Sequence, residues 1–381
     1  LEISGLTKIA ILFTNYGPYH LARLCSFQKH CERLGWDLVG VELTRSGIAY
    51  EWKTQLEKFP GSIISVLGEQ SLEQVKFTHL LQILSKILSQ INPDVVAIAG
   101  YFRPAMLAVL LWCLWNKKSP ILLSDSKEDD AYRDWLKETA NSFLIKRYQA
   151  ALVAGKPHKR YLNQLRMSTN AIFCGYDVVD NDVFHPSKIR CFSPPLNRPY
   201  FLTINRFIEK KNLPFLLSSY AAYRQHAGSH AWDLILCGDG ELRPDLEKRI
   251  TELNLQDFVH QPGFLQQNEL LPYFAHAQCF IHASIQEQWG LVVNEAMAAG
   301  LPVLVSNRCG CFEDLVSEGV NGFGFDPTNS QQLTDLMLKI SSGNINLTQM
   351  GNAALEHIQQ FSPDYFAQGL RQAVEYATSP R

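Results

Sequence analysis

The segment Glu287-Gln288-Trp289-Gly290-Leu291-Val292-Val293-Asn294-Glu295 sets two carboxylates with seven residues between them, one of them a glycine. A helix opening at Gly290 leaves the N–H groups of Gly290, Leu291 and Val292 without intrahelical acceptors, a ready position for an anion. Carboxylates on either side of that position accept hydrogen bonds from hydroxyl groups. A diphosphate carrying a ribose at one end and a hexose at the other offers such hydroxyls. The competing reading is an ordinary helix start, with one glutamate favoured by the dipole and the other exposed.

Two further clusters precede it. Asn205-Arg206-Phe207-Ile208-Glu209-Lys210-Lys211-Asn212 follows an apolar run and places Arg206 and Lys211 at the carboxyl end of an expected strand. Cations there suit a diphosphate, since a guanidinium bonds two oxygens at once. Leu236-Cys237-Gly238-Asp239-Gly240-Glu241 sets Gly238 and Gly240 between an expected strand and an expected helix, where glycine permits a tight turn or a close ligand. Alone, the first reads equally as a solvated charged loop and the second as a plain turn. The third glycine of a dinucleotide fingerprint is missing.

The elements that must position these groups show as apolar runs. Ile9 to Phe13, Asp94 to Ala99, Pro120 to Leu123 and Ala151 to Ala154 read as strands of the first half. Tyr200 to Ile204, Asp233 to Cys237, Cys279 to Ala283 and Pro302 to Ser306 read as strands of the second. Uninterrupted apolar character is what parallel strands covered on both faces require. Helical patterns lie between them, at Leu72 to Ile91 and Pro104 to Trp115, and near Asn212, Arg243, Gly290 and Phe312. Alternation of this kind implies βαβ units in doubly wound α/β sheets. Prolines at 186, 194, 195 and 199 break the rhythm, so the linker is expected near 185–199. The expected division is 1–190, then 191–362, with a last helix over 363–381 packing back on the first domain.

The 381 residues exceed one ordinary core, and a hydrophobic share of 46% with 19% charged is a globular balance. A formal charge of −2 gives no electrostatic footprint for nucleic acid. Nine scattered cysteines include one close pair, Cys309 and Cys311, with no second pair to complete a zinc spacing, so buried thiols and no metal are expected. The opening residues lack a basic start and apolar core, and the longest apolar run, Ala105 to Trp115, is too short for a bilayer. A cytoplasmic protein follows as the expectation, with peripheral contact at the inner face of a membrane left open.

The run from Tyr200 to about Pro327 resembles the donor domain of glycosyltransferase family 4, a retaining family of GT-B fold. The paired glutamates Glu287 and Glu295, the Arg206 and Lys211 pair, Gly300-Leu301-Pro302-Val303-Leu304-Val305-Ser306, and Gly319-Val320-Asn321-Gly322-Phe323 carry the resemblance. It implies two Rossmann-like domains facing a cleft. It further implies that Glu287 holds the transferred sugar, Glu295 the ribose, and Arg206 and Lys211 the diphosphate. Gly290, Leu291, Val292, Gly238 and Gly263 fall on the donor side. The implied co-substrate is a nucleotide-diphosphate sugar, a UDP-sugar as the commonest choice, with no other cofactor and with an acceptor bearing a hydroxyl.

The first half departs from the family pattern. Thr14-Asn15-Tyr16-Gly17-Pro18-Tyr19-His20 has one glycine where adjacent glycines are usual, and Leu123-Ser124-Asp125-Ser126-Lys127 lacks the usual histidine. Gly17, His20, Asp125 and Lys127 are the acceptor-side candidates. A nucleotide-sugar-binding protein without transfer, and a sugar-nucleotide epimerase on the same fold, stand as alternatives.

Overall fold

The computed structural model describes residues 7–45, 56–130 and 133–379. Residues 1–5, read above for a leader, and the last two of the expected terminal helix lie outside them. The chain divides into two compact units, 1–179 with 363–381, and 180–362.

The first unit holds a seven-stranded parallel sheet. Its strands are β1 (Lys8–Phe13), β2 (Asp37–Glu42), β3 (Ser62–Ser65), β4 (Val95–Ala99), β5 (Ser119–Ser124), β6 (Ala150–Val153) and β7 (Ile172–Cys174), in the order β3-β2-β1-β4-β5-β6-β7. Helices α1 (Pro18–Leu34), α2 (Phe77–Ile91), α3 (Pro104–Trp115), α4 (Trp135–Ile145) and α5 (Lys156–Gln164) connect them. Ile9, Leu12, Val96, Ile98 and Leu122 are fully buried, as strands covered on both faces must be. Proline opens α1 and α3, where a missing N–H costs nothing.

The second unit begins with the short helices α6 (Asn181–Phe184) and α7 (Pro186–Ile189). Its strands are β8 (Tyr200–Ile204), β9 (Asp233–Cys237), β10 (Val259–Gly263), β11 (Cys279–His282), β12 (Val303–Ser306) and β13 (Gly322–Phe325). They form a six-stranded parallel sheet in the order β10-β9-β8-β11-β12-β13. The helices are α8 (Leu213–Ala227), α9 (Arg243–Glu252), α10 (Gln267–His276), α11 (Leu291–Ala298), α12 (Phe312–Leu315), α13 (Ser330–Ser341) and α14 (Leu347–Ile358). The last helix, α15 (Pro363–Thr378), returns to the first unit, where it packs on α1, β6 and β7 and where Asp364 meets His30 at 2.8 Å.

Both sheets reverse strand order once, between β1 and β4 in the first and between β8 and β11 in the second. Loops leaving neighbouring strands in opposite directions open a crevice at such a point, and ligands of α/β sheets bind there.

Candidate donor site at the switch point of the second sheet

The segments after β8 and β11 flank the reversal in the second sheet, and they carry the clusters singled out in the sequence. A short 3₁₀ turn (Glu209–Lys211) follows β8 and presents Lys210 and Lys211 to the segment after β11. The Lys211 ammonium pairs with Oε2 of Glu287. Lys210 Nζ donates to Gln288 Oε1 at 3.2 Å, and Lys210 C=O accepts from the Ile285 N–H at 3.0 Å. Asn212 joins the two segments again, its side-chain amide donating to Ala283 C=O at 3.3 Å and to Pro327 C=O at 2.9 Å.

Glu287 is 8% exposed and densely held. Besides Lys211, its Oε2 receives His282 Nε2 at 3.1 Å and Ser284 Oγ at 3.2 Å. Its backbone is fixed as well, since Gly310 N–H donates to Glu287 C=O at 3.1 Å. Burial alone raises the carboxyl's pKa. The hydrogen bond from His282 and the charge of Lys211 outweigh that and hold it well below the usual carboxylate range. His282 is fully buried, and burial, with the cations Lys211 and Lys210, lowers its pKa despite the opposing bond to Glu287. The pair is therefore an anionic carboxylate beside a neutral imidazole.

Gly290 caps α11 with φ 105°, a left-handed conformation that L side chains rarely adopt. A Cβ there would stand 3.4 Å from His282 Nε2 and 3.5 Å from Glu287 Cγ. The helix start thus lies directly against the carboxylate, and the first-turn N–H groups of Leu291 and Val292 lack intrahelical acceptors. Glu295 sits one turn further along α11 and is buried. Trp289 Nε1 donates to Asn294 Oδ1 at 2.9 Å and anchors the entry to the helix.

Gly238 has a structural reason for its type. A Cβ at that position would meet Asn205 C=O at 1.8 Å, so the turn after β9 packs directly on the turn after β8. Its N–H donates to Gly263 C=O at 2.8 Å, which ties the turns after β9 and β10 together. Arg243 spans the same group, bonding Asp239 Oδ1 at 2.8 Å and Gly238 C=O at 3.1 Å, with its guanidinium over the Phe207 ring. Arg206 is exposed on the turn after β8.

The structure thus gathers Lys211, Glu287 and Gly290 into direct contact, with Glu295 on the same helix. Arg206, Gly238 and Gly263 belong to the neighbouring turns. Sequence reasoning missed His282 and Ser284. The signal was present as two polar residues at the end of the apolar run Cys279-Phe280-Ile281, three and five residues before Glu287.

The remaining candidates belong to the first unit. Gly17 is the N-cap of α1, and its N–H donates to His20 Nδ1 at 3.2 Å. The His20 ring packs on Phe13 at 4.3 Å between centroids, and burial and Arg23 hold its pKa down to about 3. Gly155 and His158 repeat the device at the start of α5, again at 3.2 Å. Asp125 and Lys127 lie in the loop after β5. Lys127 is buried there with its ammonium against Asp129, and its N–H donates to Asp130 Oδ2 at 2.9 Å.

All nine cysteines carry free thiols. Among the described residues no helix is long and apolar enough to cross a membrane.

Residues 188–357 match the family described as Glycosyl transferases group 1. Among curated proteins, an alpha-1,3/1,6-mannosyltransferase of Mus musculus is 26% identical over 257 residues, 63% of this chain and 61% of that protein. A 2-deoxystreptamine N-acetyl-D-glucosaminyltransferase of Niallia circulans is 25% identical over 221 residues, 56% of each. The chain therefore spans little more than half the length of these relatives. Among solved structures, HepE of Anabaena in complex with UDP and glucose superimposes with TM-score 0.77 at 18% identity, covering 97% of this chain and 99% of that one. A glycosyltransferase of Rickettsia africae does so with TM-score 0.75 at 16% identity, covering 99% and 100%. The fold is thus the GT-B type, two Rossmann-like α/β units, and the part that carries the candidate site is similar in sequence to group 1 glycosyl transferases.

Proposed function

We propose that the chain is a retaining glycosyltransferase that moves a hexosyl group from a UDP-sugar to an acceptor hydroxyl. The observation that carries this reading is the meeting of Lys211, Glu287 and the first turn of α11 at the switch point of the second sheet. A cation and free N–H groups beside a held carboxylate match the two halves of a sugar diphosphate, one anionic and one rich in hydroxyls.

In this reading Arg206, Lys211 and the N–H groups of Leu291 and Val292 hold the diphosphate. Glu295 accepts from the ribose and Glu287 from the hexose. As the bond from the anomeric carbon to the β-phosphate oxygen breaks, negative charge grows on the phosphate, and fixed cations and N–H donors stabilise it more than they stabilise the ground state. The acceptor oxygen bonds to the anomeric carbon on the face the phosphate leaves, and its proton passes to a phosphate oxygen. The products are UDP and the glycoside. Glu287 orients the sugar and forms no covalent bond to it. On the first unit, Gly17, His20, Asp125 and Lys127 stay the candidates for binding an acceptor. Nine free thiols support a reducing compartment, which the cytoplasm provides.

Calorimetry with UDP and UDP-glucose, beside an assay of UDP release, tests this. Binding of both with release of UDP supports transfer. Binding without release or slow hydrolysis leaves a binding protein, and conversion of the free sugar nucleotide without acceptor makes it an epimerase. Glu295→Ala is expected to weaken UDP itself, whereas Glu287→Ala weakens only the sugar nucleotide, by ~1–3 kcal/mol for one or two lost hydrogen bonds to a charged group. Equal loss of UDP affinity in both variants overturns the assignment.

A further inference from the structure

The partners of the Glu287 carboxylate converge on one oxygen. Lys211 Nζ, His282 Nε2 and Ser284 Oγ all reach Oε2, and among the described residues none bonds Oε1. The three donors differ in what a ligand does to them. On the proposed function Lys211 turns to the diphosphate, whereas His282 and Ser284 are fully buried on β11 and just after it, where a ligand's charge does not draw them away.

The proton on His282 is placed by the same contacts. Its Nδ1 is buried with no hydrogen-bond partner. A proton on Nδ1 would strand a buried donor and turn the lone pair of Nε2 toward a carboxylate oxygen 3.1 Å away, acceptor against acceptor. A proton on Nε2 satisfies the carboxylate and reaches Ser284 Oγ at 3.3 Å as well. The groups facing the ring are Glu287, Lys210, Lys211 and Ser284, with the Phe280 ring stacked beneath at 6.3 Å. Two lysines and complete burial oppose an imidazolium there.

We propose that His282 is a positioning residue for the donor sugar: its Nε2–H, assisted by Ser284, clamps Oε2 of Glu287 and leaves Oε1 to accept from a sugar hydroxyl. The inference rests on the reading of Glu287 as the sugar-binding carboxylate. It adds that the carboxylate's aim depends on a neutral histidine of fixed tautomer and survives when Lys211 turns to the diphosphate.

The test compares His282→Phe, which keeps the ring's shape and removes the donor, with His282→Gln, which restores an N–H donor. Each is measured for UDP affinity, UDP-glucose affinity and UDP release. His282→Phe is expected to bind UDP within about twofold of wild type, and to lose roughly tenfold to a hundredfold in UDP-glucose affinity and turnover, as for one hydrogen bond to a charged group. His282→Gln is expected to recover most of that loss. Equal weakening of UDP and UDP-glucose, or identical behaviour of the Phe and Gln variants, overturns the proposal. A second measurement does not depend on the variants folding. Nitrogen-15 NMR of the wild-type chain, with each ring assigned through the backbone of its own residue, should show His282 neutral, protonated on Nε2 and not titrating between about pH 5 and 8, as a resonance distinct from that of His20. A proton on Nδ1, or an imidazolium in that range, overturns the proposal whatever the kinetics. Failure of the wild type to release UDP sinks the proposed transfer, whereas the tautomer and the Phe–Gln contrast in UDP-glucose binding sink only the positioning role.

Discussion

The Lys211 ammonium rests on Oε2 of Glu287. The proposed function asks each of them to hold a different half of one ligand, so the pair must part when a diphosphate arrives. Breaking it costs part of the binding free energy of UDP, because Lys211 exchanges one anion for another. Glu287→Gln removes that competition while keeping the shape. It is expected to bind bare UDP more tightly than wild type, by a few-fold, and to transfer sugar poorly. Lys211→Ala is expected to weaken UDP and slow turnover together, because the cation acts on charge that grows in the transition state. Calorimetry and an assay of UDP release check both. Weaker UDP binding in Glu287→Gln would mean that the ion pair does not compete with the nucleotide.

Two glycines of the same unit should respond very differently to one added methyl group. At Gly290 the strain is chiefly conformational, since a Cβ would touch nothing closer than 3.4 Å. Gly290→Ala is expected to cost about 1–2 kcal/mol, the penalty for an L residue in the left-handed region. At Gly238 a Cβ would overlap the backbone oxygen of Asn205 at 1.8 Å, and neither turn can yield without dismantling the other. Gly238→Ala is expected to yield little folded protein. Thermal melts of the two variants, read against wild type, check the order.

The first unit holds a buried ion pair whose loss should be felt across the whole unit. Arg23 on α1 bonds Asp177 Oδ1 and Val178 C=O, each at 3.1 Å, and both side chains are more than nine-tenths buried. Removing Arg23 takes the guanidinium from a buried carboxylate. Arg23→Leu is expected to destabilise the unit by about 3–5 kcal/mol, the range for a broken buried pair. The double variant Arg23→Leu with Asp177→Leu should recover part of that loss. Urea unfolding of wild type, Arg23→Leu, Asp177→Leu and the double variant checks it, and additive losses would show that the pair is not coupled.

The central strands were legible because the physics that buries them also writes them. Tyr200 to Ile204 and Asp233 to Cys237 are strands at those bounds, and Ile9 to Phe13 misses one residue of β1. Four of the five strands that sequence reading passed over, β3, β7, β10 and β13, are sheet edges. An edge strand is paired on one side only and needs no continuous apolar run, which is why Val259-His260-Gln261-Pro262-Gly263 and Gly322-Phe323-Gly324-Phe325 did not read as strands. The fifth, β2, is interior, but its apolar run is broken by Gly40 and bounded by Asp37 and Glu42. The site shows the same division. Glu287 and Gly290 stood out by type and spacing. The role of His282 depends on which carboxylate oxygen it meets, a side-chain contact that type and spacing along the chain do not record.

His20 gives a pH dependence with a definite sign. Its Nδ1 accepts from the N-cap amide of α1 at 3.2 Å, and only the neutral ring can do so. Burial, with Arg23 nearby, lowers its pKa from the ordinary 6.5 to about 3. The unfolded chain therefore takes up a proton near pH 6.5 that the folded chain refuses until about pH 3. Stability from this group is complete above pH 6.5 and drains away as pH falls toward 3, because the unfolded state binds more protons throughout that window. His20→Gln keeps a side-chain acceptor and cannot titrate. It is expected to be the less stable chain near pH 8, where the wild-type contact is intact, and to lose less stability than wild type between pH 6.5 and 4. Urea midpoints of both chains across that range check it. Parallel curves would show that His20 takes up its proton in the folded chain as readily as in the unfolded one, and the cap at Gly17 would then not depend on a neutral ring.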